Sequence, residues 1–254
     1  MHGLTGQVGA RVLASMLALV AAVLFMGVID LATLPGWVNQ EFEWPVPLEV
    51  SWGSLFTFFL AGGYVWVAVL PHRPEPGLVQ VAIASVALAF SAAAGADVRP
   101  LWVAAAAALS ALLLATMTQR SGGAGYSSWS LNGWQLALAG LGMFLWLPYT
   151  IEALEASRAG VVGDITNGIE HWPVQAATGA ALILASLLSA VWDPGRGLLR
   201  VTCCLSAAFL GMAQLAFPDR AGAMEGDLWG IGVILWAVLL ALAPSTSTST
   251  STYR

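Results

Sequence analysis

Apolar residues along the chain gather into eight runs, and a helix needs about 20 such residues to cross a bilayer core. The runs fall near 9–33, 50–70, 77–96, 100–118, 133–154, 173–192, 198–217 and 228–243. Helix-breaking residues lie between them: Pro35, the Pro71, Pro74 and Pro76 group, Pro100, the stretch from Gly122 to Gly125, Pro173, Pro194, Pro218 and Pro244. Only Asp97, Arg99 and Pro100 divide the third run from the fourth, yet together they are too long for one helix. The pattern predicts an all-α, polytopic membrane bundle of about eight transmembrane helices. The first run is too long for a signal peptide, and Asp30-Leu31-Ala32-Thr33-Leu34-Pro35 offers no small-residue cleavage site, so it is expected to be retained.

The two halves look alike. Glu43-Trp44-Pro45-Val46 precedes the second run and Glu170-His171-Trp172-Pro173-Val174 the sixth. Pro76-Gly77 opens the third and Pro194-Gly195 the seventh, while Leu101-Trp102 and Leu228-Trp229 enter the fourth and eighth. Ile29-Asp30 ends the first run and Ile151-Glu152 the fifth. Matches in a constant order predict a four-helix unit used twice, 1–120 and 133–244, with a connector at 121–132 and a Ser/Thr tail at 245–254. An even number of spans per unit gives both units the same direction, a parallel repeat.

Composition supports a membrane setting. Of 254 residues, 58% are hydrophobic and only 9% charged, where a soluble domain has about one quarter charged. Mean hydropathy is +0.79. All nine basic residues are Arg, which excludes a Schiff-base or other catalytic Lys. The adjacent Cys203 and Cys204 lie in an apolar run and read as buried hydrophobes, not a disulfide framework. No basic patch is available for nucleic acid.

Arginine placement sets the expected orientation. With the N-terminus in the cytoplasm, Arg11, Arg73, Arg120, Arg196, Arg200 and Arg254 fall inside, and Arg99, Arg158 and Arg220 outside. Both termini are then cytoplasmic in a plasma-membrane protein. Trp37, Trp44, Trp52, Trp102, Trp172 and Trp229 sit near outer ends, and Trp66, Trp134 and Trp192 near inner ones, as an anchoring belt.

Few polar residues point to chemistry. Asp30 and Glu152 end the first helix of each half, so a cavity between the halves would let them form a cation or proton site. The outer loop after the fifth run holds Glu155, Arg158, Asp164, Thr166, Asn167, Glu170 and His171. Glu152, Glu155, Glu170 and His171 are the residues an acid–base or catalytic cluster would use. The spacing of Asp164 to Glu170 does not match an EF-hand, and no metal site is assigned. Glu41, Glu43 and Glu49 make the first outer loop acidic. Gln80, Gln135, Gln175 and Gln214 are expected to bond between helices. Pro148 is expected to kink the fifth span, and Gly62-Gly63 is a candidate break in the second. No nucleophile elbow, His-Glu-x-x-His, P-loop or dinucleotide fingerprint is present, and no cofactor is expected.

Gly168-Ile169-Glu170-His171-Trp172-Pro173-Val174-Gln175, with Phe217-Pro218 and Leu228-Trp229-Gly230, resembles multi-pass membrane proteins of GC-rich actinobacteria. The resemblance covers roughly the second half and implies no particular activity. The residues favour a non-enzymatic membrane protein. It would be either a small-molecule or ion carrier, or an accessory subunit of a membrane complex or homo-oligomer. The alternative is an enzyme acting on a lipid or small substrate at the outer leaflet.

Overall fold

Helices form where the apolar runs lie. The computed structural model describes residues 2–32, 44–119 and 128–244; Trp37, Glu41, Glu43, most of the connector and the 245–254 tail fall outside them. Helix α1 (His2–Leu19) passes into a π-helical turn at Val20–Leu24 and is followed by the short α2 (Gly27–Leu31). Next come α3 (Val46–Val69), α4 (Glu75–Ala94), α5 (Leu101–Gln119) and α6 (Gly133–Arg158). A hairpin of β1 (Ile165–Thr166) and β2 (Ile169–Glu170) leads into α7 (His171–Val191), α8 (Asp193–Ala216) and α9 (Asp227–Leu242).

Among the described residues, seven helices are long and apolar enough to cross a membrane. The expected eighth span forms as α9, with 16 residues, so at 1.5 Å per residue it reaches about 24 Å against a core of about 30 Å. The chain is therefore a multi-pass, all-helical membrane protein.

Neighbour relations are the same in the two halves. In the first, α1 packs on α3, α3 on α4, α4 on α5, and α5 back on α1. In the second, α6 packs on α7, α7 on α8, α8 on α9, and α9 back on α6. The halves meet through α3 and α4 of one and α7 and α8 of the other. At this seam Thr178 donates to the Ser51 carbonyl at 2.9 Å, and Thr202 donates to Gln80 Oε1 at 2.9 Å.

One of the four glutamines bonds between helices as expected, and two bond instead to the segment between α8 and α9. Gln80 donates to the Phe58 and Phe59 carbonyls, Gln175 to the Gly222 carbonyl, and Gln214 to the Met224 carbonyl. Gln135 is buried and makes no side-chain hydrogen bond among the described residues.

Several expectations need correction. The first span is not continuous to residue 33. It breaks at Met26, whose φ of 58° is left-handed, a strained state for a side-chain-bearing residue. Gly62-Gly63 is no break, because the helix runs through it at φ −58° for Gly62. Those glycines serve packing instead. A Cβ at Gly63 would meet the Gly77 carbonyl oxygen at 2.8 Å, and one at Gly77 would strike the Gly63 carbonyl, so α3 and α4 approach backbone to backbone.

The tryptophan belt also divides. Trp44, Trp102 and Trp134 are exposed, whereas Trp52, Trp172 and Trp192 are buried. Trp229 stacks on Tyr149 and donates to the Leu145 carbonyl at 3.0 Å. Beside it, Trp236 donates to the Leu138 carbonyl at 2.7 Å. These two rings pack inside the second half, each with its indole N–H on a carbonyl across a helix contact. Arg196, expected in an inner loop, is a buried tie: it donates to the Ser189 and Ser130 carbonyls and pairs with Asp193.

Candidate functional site

The broken end of the first span builds the site. The π-helical turn closes with Phe25 N–H on the Val20 carbonyl, and the helix is then interrupted at the left-handed Met26. Gly27 lets it pass, since a Cβ there would meet Thr57 Oγ1 at 2.8 Å and Phe56 Cβ at 3.0 Å. Two carbonyls freed by the break are captured from elsewhere. Trp52 Nε1 donates to the Phe25 carbonyl at 2.6 Å, and Asn167 Nδ2 to the Leu24 carbonyl at 3.0 Å. The displaced α2 carries Asp30 inward, where it is only 4% exposed.

Three carboxyl groups meet there. Glu49, in the first turn of α3 and 7% exposed, interacts with both Asp30 and Asp164. Asp164 lies just before β1 and is half-buried. Burial pushes the Asp30 carboxyl up to about 8, with the Asp164 charge adding to the rise and the Glu49 contact opposing it. Asp164 moves the other way: its hydrogen bond with Glu49 and the N–H of Ile165 hold it below its ordinary value despite partial burial. Hydrogen bonding between carboxyl groups requires at least one proton among them.

His171 forms one wall. It is fully buried, stacks on Trp52 at 4.5 Å, and joins Thr166 Oγ1 through Nε2 at 3.0 Å. Its Nδ1 faces Glu49 Oε1 at 3.7 Å, too far for a hydrogen bond, and has no hydrogen-bond partner among the described residues. The aromatic stack continues from Trp52 to Phe56 and from Phe56 to Phe25.

The hairpin covers the cluster. Asn167 and Gly168 both have positive φ, 53° and 78°, the pattern of a two-residue type I′ turn. Glu170 caps the entry to α7, accepting from the N–H groups of Gly163 and His171 at 3.2 and 3.1 Å. The segment read as a loop thus carries Asp164 and Asn167 onto the first half, while Thr166 bonds to His171.

The expected pairings are not formed. Asp30 lies against Glu49 and Asp164, whereas Glu152 is exposed and feels Glu225 and Glu155. These two do not share one cavity. Nor do Glu152, Glu155, Glu170 and His171 converge: the first two are exposed, Glu170 is a helix cap, and His171 faces α3. Glu49, Asp164 and Trp52 were missed as partners of Asp30 and His171. The Asn-Gly dipeptide was the available signal for the hairpin. Among the described residues no group of three or more His, Cys, Asp or Glu side chains is placed to hold a metal ion.

No family model matches the chain, and no curated protein or solved structure shows significant similarity to it. Fold and site together define a multi-pass helical membrane protein with a buried carboxyl–histidine cluster at a helix break.

Proposed function

We propose that the protein is a small proton carrier in which Asp30, Glu49, Asp164 and His171 form the proton site. The observation that carries this reading is the meeting of three carboxyl groups beside a fully buried His171 at a broken helix. Buried ionisable groups in membrane helices are costly and mark ion or proton pathways, and broken helices recur at carrier sites. Glu49, in contact with both aspartates, is the group through which the proton is shared. The hairpin forms the outer cover, held by Asn167 on Leu24 and Thr166 on His171.

The matching neighbour relations of the two halves support a parallel four-plus-four repeat, 1–120 and 133–244. Its pseudo-two-fold axis then runs along the α3–α7 and α4–α8 seam. The arginine bias supports cytoplasmic termini in a plasma membrane. The enzyme reading has less support, since its residues are spread between solvent, a helix cap and the core. An accessory role has no specific observation in its favour.

The test is proton flux into proteoliposomes under an imposed membrane potential, read by an internal pH dye. Wild-type protein should acidify the lumen above protein-free liposomes, and Glu49→Gln should abolish the signal while remaining folded. Flux equal to that of empty liposomes, or unchanged in Glu49→Gln, would overturn the proposal.

A further inference from the structure

The seam between the halves carries buried polar side chains below the carboxyl cluster, on all four helices that meet there. Ser51 and Ser54 lie on α3, Gln80 on α4, Thr178 on α7, and Thr202 and Ser206 on α8. Helix order gives their depth. Going inward along α3, Glu49 is followed by Ser51, by Ser54 one turn further, and then by the Phe58 and Phe59 carbonyls that Gln80 caps. Helix α8 runs the opposite way, so Ser206 lies one turn outward of Thr202, which donates to Gln80. Ser54 and Ser206 therefore both sit one turn outward of the Gln80–Thr202 level, on helices that pack together. Thr178 reaches the Ser51 carbonyl one step nearer the carboxyl groups.

Two features separate this column from ordinary helix packing. Buried Ser and Thr in a helix usually bond back to the preceding turn, as Ser51 does to the Leu48 carbonyl and Thr178 to the Val174 carbonyl. The hydroxyls of Ser54 and Ser206 are fully buried and make no hydrogen bond among the described residues. Leaving a buried hydroxyl unpaired is unfavourable, and both lie within the column. The second feature is the π-helical geometry of Ser54–Ala61. Such segments loosen the backbone ladder and are frequent at functional sites. Here adjacent carbonyls, those of Phe58 and Phe59, are open to one side-chain amide.

We propose that Ser51, Thr178, Ser54, Ser206, Thr202 and Gln80 form the route by which protons pass between the outer carboxyl cluster and the inner half of the bundle. The proposal rests on the proton-carrier reading above. A hydroxyl both donates and accepts, so it can receive a proton on one side and release another on the opposite side without net change, while the Gln80 amide accepts from Thr202 at Oε1 and holds the inner end of the column in place. Successive levels are one helical turn apart, about 5.4 Å, a gap that a single water bridges.

The experiment measures proton flux and melting temperature of purified protein for Ser54→Ala with Ser206→Ala, for Gln80→Leu, and for Thr116→Ala as a lipid-side hydroxyl control. The double serine variant removes only two unpaired hydroxyls and should fold as wild type, yet slow flux about tenfold or more. Ser54→Thr should restore much of it, and Thr116→Ala should match wild type. Normal flux in the serine variant, with Glu49→Gln inactive, overturns the route while leaving the proton site in place. Absence of flux in wild type overturns both.

Discussion

Trp52 donates its indole N–H to the carbonyl oxygen of Phe25 at 2.6 Å, tying the second membrane helix to the point where the first one breaks. The same ring stacks on His171, so one side chain satisfies the break and backs the proton site.

Trp52→Phe keeps the stack and removes the donor. The Phe25 carbonyl is then left unpaired in an apolar setting, at a cost of about 1–3 kcal/mol. Thermal denaturation in detergent should show a lower melting temperature than wild type, with Trp66→Phe, whose indole bonds at an exposed loop, changing it less.

Stability should depend on pH through Asp30. Folded, its carboxyl keeps a proton up to about 8; unfolded, only to its ordinary 3.8. The folded state binds more protons between these values, so the contribution is full below 3.8 and is lost as pH rises through about 8. Asp164, held below its ordinary value, acts in the opposite sense and only in acid. Melting temperature should thus fall from mildly acidic to mildly alkaline pH, and Asp30→Asn should flatten the slope. An equal slope in the variant would rule out Asp30 as its source.

Gly77→Ala tests the α3–α4 approach. The new methyl would run into the Gly63 carbonyl, forcing the helices apart at a cost of about 1–3 kcal/mol. A lowered melting temperature is expected, with Gly140→Ala, which meets nothing within 4 Å, tolerated.

Asn167→Ala removes both the bond to Leu24 and a residue suited to positive φ. Hydrogen exchange should speed up at 163–170 and at the α1 break, with little change in α7. Unaltered exchange would show that the hairpin is held by other contacts.

The spans were legible because a membrane helix must satisfy its backbone internally and its side chains must suit lipid; length and hydropathy alone then mark it. The repeated Trp-Pro-Val and Pro-Gly elements were legible for the same local reason, since they start helices. Asp30 and His171 stood out as polar residues near apolar runs. Their partners did not, because Glu49 and Asp164 look like solvated loop acids when read one segment at a time.

Local sequence thus determined the all-helical class, the places of the spans and the turn chemistry of Asn167-Gly168, each governed by neighbours a few residues apart. Tertiary structure alone decided that α1 breaks at Met26 and that the hairpin of one half closes over the other. It also decided that Asp30, Glu49, Asp164 and His171 meet. The break has no Pro to announce it; it is sustained by Trp52 and Asn167 capturing freed carbonyls from distant parts of the chain. Burial of the carboxyl groups likewise depends on which helices pack around them, a relation that no window of the sequence contains.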